Sequence, residues 1–122
     1  KGSLAICLET ILRFEGITLD AQDALDKGET AVEILRDNLH DARVVDLTGC
    51  NLDTILYFNN RDIPVLATLD NGEAVLVVGF NQYNVVIMEP KTGKLYKKGM
   101  NDSAKWFEEN GNQFVTYFRI FE

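Results

Sequence analysis

The spacing of apolar residues changes from a helical to a strand-like pattern about halfway along the chain. In SLAICLETILRFEG, residues 3–16, apolar side chains recur every three or four residues, which predicts a helix with one buried face. Ser3 is expected to cap the start of this helix and Gly16 to end it. TLDAQDALDKG and ETAVEILRDNL predict two more short helices, ARVVDL a short strand, and NLDTILYFNNRD a fourth helix opened by Asn51 or Asp53.

From Pro64 onward the pattern favours strands. PVLATLD is rich in β-formers and ends in a DNG turn. EAVLVVGF is apolar at nearly every position, as expected for a strand covered on both faces. VVIMEP, KLYKKGM and FVTYFRIF predict three more strands, and DSAKWFEENG predicts a helix capped by Asp102 or Ser103. Helices followed by a mostly antiparallel sheet with one late helix predict an α+β fold.

The length and composition are those of one globular domain. The chain has 122 residues, of which 46% are hydrophobic and 25% charged, enough for a single core and too few for two. We therefore expect one domain over residues 1–122, excised from a longer protein. No apolar run approaches the ~20 residues of a membrane helix, and no signal-peptide pattern occurs. Membrane insertion by this domain is not expected, and the compartment stays open.

The charge is negative and unevenly distributed. The net charge of −7 argues against a nucleic-acid partner, because phosphate binding needs a basic face. Residues 1–90 carry 15 acidic and 6 basic side chains, whereas residues 91–122 carry 4 and 6. KTGKLYKKG supplies Lys91, Lys94, Lys97 and Lys98. A solvated hairpin is the ordinary interpretation, and the contact surface of a structural or assembly module is the alternative.

The nucleophilic and metal-binding candidates are few. His40 is the only histidine, which excludes a multi-histidine zinc site. Cys7 falls on the apolar stripe of the first helix and is expected to behave as a small core residue. Cys50 precedes a predicted helix, where a thiol can be more reactive. An active thiol hydrolase or peptidase with a rearranged site, Cys50 with His40, is an alternative function, and whether the two cysteines form a disulfide is open.

Four segments together resemble the papain-like cysteine peptidases of the C39 type. GSLAICLETILRFEG follows the family's nucleophile helix, and LDTILYFNNRDIPVLATL follows its L-x-x-L-x-x-x-L-x-x-G-x-P-V-I segment. GEAVLVVGF is similar to the family's G-H-x-V-x-V-x-G-Y, and MEPKTG is similar to its Asp-Pro turn. The resemblance covers nearly the whole chain and implies a papain-like fold of N-terminal helices followed by a sheet.

The catalytic positions of that family are occupied here by other residues. The resemblance puts Ser3 at the nucleophile's place, Glu73 at the histidine's place and Glu89 at the place of the orienting aspartate. In the family, an imidazole and the helix N-terminus make the thiolate available. A serine hydroxyl lacks that activation, and a glutamate carboxyl, with an ordinary pKa of about 4.3, is a weak base for it.

The resemblance therefore implies a degenerate triad and no catalytic residue. The expected function is an inactive C39-like domain that binds a peptide or a protein partner, such as another domain of the same longer chain. Two other interpretations of Glu73 stay open: a solvated residue that opens a strand after the DNG turn, and a working base. Glu73 and Glu89, if close, could attract Ca²⁺ or Mg²⁺ or pair with a lysine or arginine. No resident cofactor or metal is expected.

Overall fold

The predicted order of helices and strands is present in the structure. This computed structural model describes residues 1–59 and 62–120. Its helices are α1 (Ser3–Phe14), α2 (Ala21–Asp26), α3 (Ala31–Asn38), α4 (Leu52–Phe58) and α5 (Met100–Glu109). Its strands are β1 (Ala42–Asp46), β2 (Val65–Thr68), β3 (Ala74–Phe80), β4 (Asn84–Met88), β5 (Leu95–Gly99) and β6 (Gln113–Arg119). The end of the predicted fourth helix, at residues 60 and 61, lies outside the described residues.

The strands form one sheet in the order β1-β6-β2-β3-β4-β5. Every neighbouring pair is antiparallel. Helices thus precede an antiparallel sheet, with α5 as the one late helix, so the α+β prediction is confirmed. None of the helices in the described part of the chain combines the length and the apolar character needed to span a bilayer.

The sheet separates two apolar cores. Alternate residues of a strand face opposite sides, and in β3 Leu76 packs with α1, α2 and α3 whereas Val75 and Val77 pack with α4 and α5. Both faces of β3 are therefore covered, as its continuous apolar run predicts. β3 lies between β2 and β4 in the sheet, and α1 packs against it.

Helix α1 is the most deeply packed helix. Seven of its residues are buried, and they include the polar side chains of Ser3 and Glu9. Gly16 ends the helix in the left-handed region at φ +77°, and the N–H of Ile17 donates to the carbonyl of Leu12 at 2.9 Å. This is the predicted glycine stop. The predicted cap is wrong: Gly2 is the N-cap and Ser3 is the first helical residue, because the Ser3 side chain bonds to β3 instead.

The other helix starts show which caps the sequence reveals. The Asp20 side chain caps α2, the Asn51 side chain caps α4, and Thr30 caps α3 in a reciprocal capping box. The predicted cap of α5 at Asp102 or Ser103 is wrong, because β5 runs directly into α5 and Gly99 is the N-cap. The predicted caps are wrong where the side chain bonds to another element, as at Ser3, or where a strand runs directly into the helix, as at α5.

A charged group ties the C-terminal end of α1 to β6. The Glu15 carboxylate accepts hydrogen bonds from Arg119 Nε at 3.1 Å and Nη2 at 2.8 Å, and from the Tyr117 hydroxyl at 3.1 Å. The hydrogen bond from Arg119 is the main cause that lowers the pKa of Glu15. The pair is only partly exposed, so water screens it less than a surface ion pair.

Glu15→Gln is expected to destabilise the fold by about 1–2 kcal/mol at pH 7, because it removes charge-assisted hydrogen bonds. A carboxyl whose pKa is lowered by folding stabilises above its unfolded pKa of ~4.3 and loses that contribution as the pH falls through the folded value. The difference between wild type and variant should therefore shrink below about pH 4. Urea denaturation across pH measures it.

Asp23→Asn is the matched control, since it removes an exposed ion pair with Lys27 on α2. That loss should be much smaller than the effect of Glu15→Gln at pH 7, because solvent screens an exposed ion pair. A Glu15→Gln effect equally small at pH 7 would contradict the assigned role of this group.

Candidate functional site

Glu73 stands in a tight turn at the start of β3. The N–H of Leu69 donates to the Glu73 carbonyl at 2.8 Å, and the N–H of Gly72 donates back to Leu69 at 3.0 Å. Gly72 has φ +83°, a conformation that glycine adopts without strain. The Asn71 side chain accepts from the Glu73 N–H at 3.0 Å. The DNG sequence thus fixes the backbone conformation at Glu73.

The structure brings Ser3 and Glu73 together. The Ser3 hydroxyl donates a short hydrogen bond to the Glu73 carboxylate and accepts one from the Ala74 N–H at 2.8 Å. Ser3 is only 4% exposed, whereas Glu73 is exposed. One hydroxyl therefore joins the first turn of α1 to the first residue of β3.

The hydroxyl of Ser3 is not placed beside an imidazole. His40 precedes β1, and β1 is three strands away from β3 in the sheet. At a strand spacing of about 4.8 Å, this is a separation of roughly 14 Å. The basic group within hydrogen-bond reach of Ser3 is the Glu73 carboxylate.

Glu89 lies in the turn after β4, and its carboxylate accepts a hydrogen bond from the Lys91 N–H at 3.2 Å. Its backbone pairs with Lys94 and Gly93 in the same turn. The carboxylate also faces the Cys7 thiol closely enough to influence it electrostatically. Across residues 1–59 and 62–120, no cluster of three or more acidic, histidine or cysteine side chains could hold a metal ion.

Cys50 and His40 are not brought together. His40 precedes β1 and Cys50 follows it, and a five-residue strand rises about 16 Å. Cys50 packs beside the core that α4 and α5 cover. His40 is exposed and borders a cleft of about 290 Å³ on the other side of the sheet, with Glu15 and Arg119 in its wall. The geometry offers no Cys–His pair.

Cys7 is a core residue, as its place on the apolar stripe predicts. It is fully buried, and burial, with a smaller contribution from the Glu89 carboxylate, raises the pKa of the thiol to about 12. A thiol with so high a pKa contains almost no thiolate at neutral pH. Cys7 is therefore inert although it lies one helical turn from Ser3.

The sequence analysis missed Glu9 as a structural residue. Its side chain is 9% exposed and accepts from the Lys1 ammonium at 2.9 Å and from the Ala21 N–H at 2.9 Å. Glu9 thereby joins α1 to the start of α2. Nothing in the local sequence reveals this, because both donors come from other segments of the chain.

Comparison with known proteins supports the fold. No family model matches the sequence, and no curated protein matches it. The structure is similar to the crystal structure of a protein from Bacillus anthracis described as a C39-like peptidase, with a TM-score of 0.79 and 17% sequence identity. The match covers 97% of this chain and 88% of that one. The chain has the fold of a C39-like peptidase. At this identity the likeness extends to the fold alone.

Ser3→Ala is expected to destabilise the protein by about 1–3 kcal/mol, because the buried Ala74 N–H loses its acceptor. Glu73→Gln should lower the free energy of unfolding by less than Ser3→Ala does, since an amide oxygen can still accept a hydrogen bond from the Ser3 hydroxyl. Urea denaturation of both variants measures the difference. Equal stability of Ser3→Ala and wild type would show that the Ser3 contacts contribute nothing to the fold.

The two thiols are expected to react differently with a disulfide reagent such as DTNB. Cys50 is partly exposed and Cys7 buried, so the native protein should release about one equivalent of chromophore and the unfolded protein about two. Cys50→Ser should abolish the native reaction, and Cys7→Ala should preserve it. Rapid labelling of Cys7 in the native protein would contradict its assignment as an inert core residue.

Proposed function

We propose that this chain is a catalytically inactive domain with a C39-like peptidase fold that binds an extended peptide or a segment of a protein partner. The observation that carries the proposal is the engagement of the Ser3 hydroxyl. Its proton is donated to Glu73, and its oxygen accepts from the Ala74 N–H. A hydroxyl held in this way contributes to the structure, and because Ser3 is only 4% exposed it is poorly accessible to a substrate's carbonyl carbon.

The positions of Ser3 and Glu73 support this proposal. In the family that the sequence resembles, the nucleophilic cysteine opens a helix and the histidine opens a central strand. Ser3 is the first residue of α1, and Glu73 directly precedes β3. A Ser–Glu pair here replaces a Cys–His pair and still connects the helix to the sheet.

The chemistry of the pair also favours inactivity. A carboxylate is a poorer general base for a hydroxyl than imidazole, and it cannot pass the proton on through a second ring nitrogen as imidazole does. Replacing even one member of a catalytic triad commonly lowers the rate by several orders of magnitude. The separation of Cys50 from His40 by the length of β1 weighs against a second, rearranged thiol site.

Binding is favoured because the Glu73 carboxylate, at the junction of α1 and β3, is accessible to a ligand. Glu73 is exposed, and its hydrogen bond to Ser3 uses Oε2. Oε1 is thus available to accept from a ligand N–H, such as the backbone of an extended peptide. The retained fold supplies the helix–sheet junction, and the carboxylate supplies a fixed acceptor.

Hydrolysis of a fluorogenic peptide library tests the inactivity directly. The wild-type protein is expected to give no turnover above the buffer blank, and Ser3→Ala and Glu73→Gln should be indistinguishable from it, because no base activates the hydroxyl. Turnover that is present in the wild type and abolished in Ser3→Ala would overturn the proposal.

Binding at the junction is tested by NMR titration of the ¹⁵N-labelled protein with pooled extended peptides. Chemical-shift changes of backbone amides should concentrate at Ser3, Glu73 and Ala74. Glu73→Ala should lower the affinity for the peptide, since it removes the exposed acceptor. Saturable binding elsewhere with no shift at these residues would contradict the assigned site.

A further inference from the structure

Strand β5 is an open edge of the sheet. Among the described strands it has one neighbour, β4. Two backbone hydrogen bonds that flank β5 show which of its groups point toward β4. The Glu89 N–H donates to the Lys94 carbonyl at 2.9 Å, and the Met100 N–H donates to the Tyr83 carbonyl at 2.8 Å. Ladder bonds in an antiparallel pair occur at alternate residues. The N–H and C=O groups of Leu95 and Lys97 and the N–H of Gly99 therefore point away from β4, whereas the Gly99 carbonyl, at the N-cap of α5, accepts the first bond of that helix.

The same hairpin carries the densest positive charge in the chain. Lys91, Lys94 and Lys97 are exposed, and no ion pair involves them within the described residues. Lys98 lies on the opposite face of β5 from Lys97, and its ammonium is 4.9 Å from the ring centre of Trp106. The hairpin thus combines unpaired lysines with an unpaired backbone edge, on a chain whose net charge is −7.

The edge also presents apolar surface on both sides. Leu95 is 60% exposed and Tyr96 is 40% exposed. The register pairs Leu95 with Met88 and Tyr96 with Ile87, so these side chains flank the edge on opposite faces of the sheet. A strand added at this edge would place alternate side chains beside Leu95 and Tyr96.

A second copy of the chain is a poor occupant of this edge. Pairing β5 with β5 would gather the lysines of two hairpins on neighbouring strands, and like charges placed opposite each other are destabilising. Lysines on an edge strand commonly prevent such pairing. The same lysines attract a negatively charged strand and therefore favour its addition to the edge.

We propose that β5 is a docking edge for an extended acidic peptide segment, which joins the sheet as an additional strand. Leu95 and Lys97, with the N–H of Gly99, would supply the hydrogen bonds, and carboxylates of the partner would lie near Lys94 on one face and Lys97 on the other. This mode of recognition combines strand addition with charge complementarity. It uses a surface separate from the Ser3–Glu73 junction and does not depend on the function proposed for that junction.

Fluorescence anisotropy with a labelled peptide tests the proposal. The probe is a short extended peptide that alternates glutamate with valine and threonine, and its matched control carries lysine in place of glutamate. The acidic peptide should bind at least about tenfold more tightly than the control. Its affinity should fall as NaCl is raised from about 0.05 M to about 0.5 M.

Two variants separate strand addition from simple charge attraction. Leu95→Pro removes an outward N–H that β4 does not use, and proline is tolerated on edge strands of this kind. Leu95→Pro should lower the affinity for the acidic peptide about tenfold, whereas the affinity of Leu95→Ala should stay within about threefold of that of wild type. The double charge reversal K94E/K97E should also weaken binding about tenfold or more. Circular dichroism and thermal melting check that each variant is folded.

Several outcomes would overturn the proposal. Equal affinity for the acidic and basic peptides would show that the lysines only protect the edge. Loss of binding in K94E/K97E with unchanged binding in Leu95→Pro would show charge attraction without strand addition. Sedimentation showing dimers that Leu95→Pro dissociates would identify a second copy as the occupant. The β5 variants leave Ser3 and Glu73 intact, so a failure here is distinct from a failure at the junction.

Discussion

The burial of α1 against β3 is the constraint on which the rest of the structure depends. The helix is covered by β3, α2 and α3, and its two buried polar side chains each bond to a different element. Ser3 bonds to the start of β3, and Glu9 bonds to the start of α2. Since buried polar groups are costly without partners, these bonds help to fix the helix in position. The candidate site lies at the N-terminal end of α1 because one of these bonds is made there.

Much of the fold could be predicted from local signals. The continuous apolar run of β3, the apolar stripe of α1 and the glycine stop at Gly16 each depend on one segment, and each is correct. The errors concern interactions between segments. Ser3 was expected to cap α1 because nothing local shows that its hydroxyl bonds to β3, seventy residues along the chain. Glu9 was missed for the same reason.

The candidate site was accessible only through the family resemblance. Composition and spacing predicted an exposed glutamate after a turn and a serine at a helix start. They did not predict that the two residues are neighbours in the fold. The resemblance implied that they occupy neighbouring places, and the structure has them in hydrogen-bond contact. It did not imply what the pair does, because a Ser–Glu contact can serve as a structural link or as a weak nucleophile and base. Burial of Ser3 and the second bond from Ala74 favour the structural link.

The central claim is that the Ser3 hydroxyl is structural and not activated. The most direct measurement is the intact mass of the native protein after incubation with a fluorophosphonate, which modifies activated serines. We expect no adduct, because the Ser3 hydroxyl is buried and the group that accepts its proton is a carboxylate and not an imidazole. A stoichiometric adduct that peptide mapping locates on Ser3, and that Glu73→Gln abolishes, would contradict the account and identify a working Ser–Glu site.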